Sequence, residues 1–79
     1  KHFVYQYHFI KELADELSKR DIKSITTDNE ELALRLKFYN IEKGDDYFLT
    51  LKKYDYPSER ISIKYYGKEL FVAYLIKIK

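Results

Sequence analysis

Apolar residues change their period partway along the chain. From Phe3 to Lys19, the residues Phe3, Tyr7, Ile10, Leu13, Ala14 and Leu17 recur at helical spacing, while Lys11, Glu12, Asp15, Glu16 and Lys19 fall mainly on the other side. That spacing predicts an amphipathic helix with one buried stripe. Ile22 and Ile25 belong either to a short edge strand or to a connecting loop. Thr27-Asp28-Asn29-Glu30 reads as a turn, because Asp and Asn bond readily to their own backbone.

Beyond that turn the period becomes two. Leu32, Leu34, Leu36 and Phe38 alternate with Ala33, Arg35, Lys37 and Tyr39, which predicts a half-buried strand. A hairpin loop over 40–46 leads to a second strand, with Tyr47, Leu49 and Leu51 inward and Phe48, Thr50, Lys52 and Tyr54 outward. After the connection 55–60, a third strand puts Ile61, Ile63 and Tyr65 inside. Gly67-Lys68 turns the chain into a last strand, 70–79, which is apolar on both sides: Leu70, Val72, Tyr74, Ile76 and Ile78 against Phe71, Ala73 and Leu75. Such a strand is covered on both faces or lies in an interface. Short connections favour neighbouring strands. The expected fold is α+β: one N-terminal helix packed on a four- to five-stranded antiparallel meander.

The 79 residues make a single small domain over 1–79, with no room for a second core. At 46% hydrophobic, with nine Tyr, five Phe, two Gly and one Pro, the chain is expected to be ordered. No cysteine is present, which excludes disulfides and thiolate metal sites and fits a cytoplasmic location. No apolar run reaches the roughly 18 residues of a membrane span, so no membrane association is expected.

Charge alters the picture by its placement rather than its total, which is only +2. The four expected strands hold seven Lys or Arg (Arg35, Lys37, Lys52, Lys53, Lys64, Lys77 and Lys79) and no acid. Most fall on the side that the apolar residues leave. Arg35, Lys37, Tyr39, Phe48, Lys52, Tyr54, Lys64, Tyr66 and Lys77 would then form a basic, aromatic sheet face. Lysines neutralise phosphates and flat rings stack on unpaired bases, so this face is expected to contact single-stranded nucleic acid. Lys and Tyr are also ordinary residents of exposed strands, where edge Lys discourages aggregation.

The helix-then-meander order resembles the cystatin-like arrangement, in which a sheet wraps one helix, although the Gln-Val-Val-Gly-type protease-binding loop of cystatins is missing. Phe71-Val72-Ala73-Tyr74 resembles the tail of the RNA-recognition-motif signature, but Gly67-Lys68-Glu69 is the wrong lead-in and a second helix is not found. Catalysis finds little support. His2 and His8 lie six residues apart, the serines carry no motif, and Asp45-Asp46 and Asp55/Glu59 sit at opposite ends of a shared strand. No enzyme activity, cofactor or metal is expected. The competing partner is a host protein, met through Phe48, Phe71, Ala73 and Leu75 or through an edge strand at 32–39 or 71–78. On that reading the chain is a small phage or mobile-element inhibitor or adaptor. A homodimer through the C-terminal strand is a third reading.

Overall fold

A computed structural model describes residues 11–36 and 43–78. Helical residues 11–18 form α1, followed by β1 (Ile22–Thr27), α2 (Glu30–Leu36), β2 (Asp45–Thr50), β3 (Glu59–Tyr65) and β4 (Lys68–Lys77). The expected residues Phe3, Tyr7 and Ile10 of the first helix lie outside the described residues. Leu13 and Leu17 are fully buried and Ala14 nearly so, as the stripe requires. The helix closes with Arg20 N–H donating to the Leu17 carbonyl at 3.0 Å, a three-residue bond that tightens a last turn.

The chief departure from expectation is α2. Residues 30–36 are helical, not extended, and the cause lies in the turn before them. Thr27 Oγ1 accepts from the Asn29 N–H at 3.2 Å. Asn29 Oδ1 then accepts from the Leu32 N–H at 3.0 Å, and its carbonyl takes the first helical bond from Ala33 at 2.9 Å. Asn29 is therefore an N-cap, and Glu30 and Glu31 occupy the helix positions where the dipole favours acids. Leu32 and Leu36 fit period two and period four equally well; here they share a helix face, both buried in the core.

That one helix resets the topology. A hairpin would return the chain antiparallel, whereas a helical crossover lets the next strand run in the same direction. β1 pairs with β2 in parallel, Ile25 opposite Tyr47 and Thr27 opposite Leu49. β2 and β3 each pair antiparallel with β4, giving a mixed four-stranded sheet in the order β1-β2-β4-β3. The α+β class stands. The antiparallel meander, and the cystatin-like arrangement with it, does not.

β4 lies between β2 and β3, so it is not an outer strand of the sheet. This removes the edge that a homodimer through the C-terminal strand would use. The outermost strands are β1 and β3, and each carries a register shift that interrupts its pairing, as edge strands often do.

One core forms on one side of the sheet, from Leu13, Leu17, Leu32 and Leu36 of the helices against Ile22, Leu49, Ile61, Ile63, Ala73 and Leu75. Inward Tyr47, Leu49, Leu51, Ile61 and Ile63 agree with the alternation in the sequence. β4 is inverted. Pairing of Ala73 with Ile61 and of Leu75 with Leu49 turns its odd-numbered residues to the core, and leaves Val72, Tyr74 and Ile76 half-buried on the other face. A strand apolar on both sides gives no alternation by which to choose, so cross-strand register decides.

Gly44 holds the start of β2 against the end of the α1–β1 connection. Its N–H donates to Asp21 Oδ1 at 3.1 Å, and a Cβ there would lie 2.8 Å from the Asp21 carbonyl oxygen. At the far end, Tyr66 (φ 52°) and Gly67 (φ 76°) form a two-residue turn with both φ values positive, the signature of type I′. For Tyr that conformation costs about 1–2 kcal/mol.

Asn29→Ala leaves the Leu32 N–H without its side-chain partner. It is expected to destabilise the domain by about 1 kcal/mol, lowering the melting temperature by about 4–8 °C. A melt unchanged by circular dichroism would show that the cap does not hold α2 in solution.

Candidate functional site

The observed strands do not present an acid-free basic face. The observed strands contain Lys23, Arg60, Lys64, Lys68 and Lys77, but also Asp45, Asp46, Glu59 and Glu69. Arg60 Nη2 donates to both Glu69 oxygens, at 2.9 and 2.8 Å, and Ser62 Oγ adds a bond to Glu69 at 2.6 Å. Lys77 Nζ meets Asp45 Oδ2 at 2.9 Å. Arg20, at the end of α1, donates from Nε to both oxygens of Glu59 at 2.9 Å and also reaches Glu16. Arg20 holds Glu59 below the usual carboxylate range, and Ser62 and Arg60 do the same for Glu69. The carboxylates in turn raise Arg20, Arg60 and Lys77. Acids placed in loops by the sequence pattern open β2 and β3, directly beside the cations they neutralise.

The nine expected contact residues scatter accordingly. Lys37 and Tyr39 lie outside the described residues, and Arg35 belongs to α2, with its side chain outside the described set. Lys77 is paired with Asp45. Lys64 and Tyr66 sit at the β3–β4 end of the sheet. The ten residues of β4 put that end about 30 Å from Lys77. Of the alternative protein-contact set, Ala73 and Leu75 are core residues and Phe71 packs against the core; only Phe48 faces outward.

Three of the expected residues do come together. Phe48 and Tyr54 meet edge to face with centroids 6.3 Å apart, and Lys52 Nζ stands 5.4 Å from the Tyr54 ring centre. Phe48 is opposite Ile76 in the sheet, on the face away from the helices. Tyr54 belongs to the connection 51–58, which takes the chain from one flank of β4 to the other. Its position is fixed by Asp28, whose Oδ2 accepts from the Tyr54 hydroxyl at 2.7 Å and from Thr50 Oγ1 at 3.0 Å. Thr50 Oγ1 in turn accepts from the Lys52 N–H at 3.0 Å. Thus the corner that starts α2 also anchors the connection after β2. Two further side chains of the connection extend the group. Lys53 is exposed and has no ion pair among the described residues, and Tyr56 is 68% exposed.

The arrangement offers stacking surfaces and cations. Among the described residues no three His, Cys, Asp or Glu side chains group as a metal site, and no helix is long and apolar enough to cross a membrane. No protein-family model matches the chain, and neither do the curated proteins or the solved structures with which it was compared.

The Tyr54 bond lowers the Asp28 pKa, with Thr50 adding to the effect, while Asp28 raises that of Tyr54. A lowered carboxyl contributes stability above its unfolded value of about 3.9 and loses it as pH falls through the folded value. A raised phenol contributes below about 10 and loses it as pH rises through the folded value. The bond is therefore intact across the neutral range. In Tyr54→Phe, an NMR titration of the Asp28 carboxyl is expected to move upward toward the ordinary carboxylate value. An unmoved titration would mean that the bond does not form in solution.

Proposed function

We propose that this chain is a non-catalytic binding module that contacts single-stranded nucleic acid through the connection 51–58 and the aromatic side chains beside it. The supporting observation is the joining of Lys52, Tyr54 and Phe48, with Lys53 and Tyr56 exposed next to them. Bases stack on rings whatever their identity, and adjacent lysines meet the backbone phosphates. The contact is placed at the connection because α2 takes Arg35 out of the sheet and Asp45 pairs with Lys77, while Lys52, Tyr54 and Phe48 come together. With a net charge of +2, and with Asp28 close to Lys52, the affinity expected is micromolar and strongly salt-dependent. A cytoplasmic location suits this role.

A second reading has its own observation. Phe48, Val72, Tyr74 and Ile76 are half-buried on a face that neither described helix covers. Such a face suits a protein partner, as in an inhibitor or adaptor from a phage or mobile element.

Fluorescence anisotropy of a labelled 20-mer of thymidylate, with duplex DNA as comparison, separates the two. Saturable binding to the single strand is expected at low salt. Tyr56→Ala is expected to weaken it by about tenfold through lost stacking. Lys52→Gln should flatten the slope of log K against log salt by about 0.7, the value for one phosphate on a single strand. Flat titrations at low salt would overturn the nucleic-acid reading and direct the search to a protein bound on Val72 and Ile76.

A further inference from the structure

The tip of the β3–β4 hairpin is built against its own backbone preference. Tyr66 occupies the first position of a turn whose two residues both have positive φ, where Asn or Gly is the usual choice. Its side chain is 88% exposed, the most exposed aromatic among the described residues, and so adds nothing to the core. The Tyr65 ring lies edge-on to it, with centroids 4.4 Å apart. Lys64 and Lys68 flank the two rings and are exposed. Glu69, next to Lys68 in sequence and opposite Lys64 in the β3–β4 register, bonds Arg60 and Ser62 and is also lowered by the charge of Lys64. A strained, solvent-facing ring between two lysines is unexplained by folding. Strain of this kind concentrates where a side chain serves contact rather than stability.

We propose that this hairpin tip is a second single-strand contact, in which Tyr66 stacks on an unpaired base and Lys68 meets a flanking phosphate. The inference rests on the nucleic-acid reading above for its partner class, and it adds a separate site at the far end of β4. Tyr66 acts as a binding residue.

Tyr66→Asn tests both halves at once, since Asn suits the turn and removes the ring. It is expected to raise the melting temperature by about 4–8 °C. In the same protein, affinity for the labelled thymidylate 20-mer should fall about tenfold. Tyr66→Phe keeps the ring and is expected to bind as the parent does. If Tyr66→Asn binds like the parent while Tyr56→Ala is weakened, the tip is not a contact and the first site stands alone. If the parent binds no single strand, both readings fail together. A lower melting temperature for Tyr66→Asn would show that the ring is retained for packing on Tyr65, which also overturns the proposal.

Discussion

The fold depends on one corner, Thr27-Asp28-Asn29. Asn29 caps α2 through the Leu32 N–H, and that cap is what makes residues 30–36 helical. A helix between β1 and β2 lets the two run parallel, and β2 in turn lies between β1 and β4. The middle residue of the corner faces the other way in function: Asp28 accepts from Thr50 and Tyr54 and so fixes the connection that carries the proposed site. Three consecutive residues thereby set both the topology of the sheet and the position of the proposed contact side chains. The Asn29 cap is worth only about 1 kcal/mol, yet it acts at a branch point where the alternative is a different strand order.

Much of the core was legible in the chain. The stripe of Leu13, Ala14 and Leu17, and the inward residues Leu49, Ile61 and Ile63, follow from periodicity alone, because each has polar neighbours that define the opposite side. Two segments lacked that contrast. Leu32 and Leu36 satisfy a strand and a helix alike, and the deciding information sat in Asn29, three residues ahead of the first buried leucine. An Asn followed by two acids before an apolar run is the available signal, and it outweighs four residues of alternation. β4 is apolar on both faces, so its orientation was set by partners distant in sequence, Ile61 and Leu49, and could not be read locally.

The candidate site was legible only in part: the helix α2 takes Arg35 out of the sheet, and Asp45 pairs with Lys77. Counting cations strand by strand treats each charge as facing solvent alone. In the folded sheet, the ends of neighbouring strands bring Lys77 to Asp45, and the β3–β4 pairing brings Arg60 to Glu69. These exposed pairs contribute little to stability. Their consequence lies in the field: each pair cancels a charge that a polyanion would otherwise use.

What survives cancellation has a consistent location. Tyr56 and Tyr66, the most exposed rings among the described residues, both lie in connections, and both have lysines within a few positions in sequence. Arg60 and Lys77 reach the carboxylates Glu69 and Asp45 from neighbouring strands. In the connection 51–58, Lys53 is exposed without an ion pair among the described residues, and Tyr56 is exposed beside it. A binding surface confined to connections can change without disturbing the core, at the cost of local strain such as that at Tyr66. The one-sided core and the parallel β1–β2 pair supply the scaffold, and the Asp28 anchor gives one of the two connections the fixed geometry that stacking on a flexible strand requires.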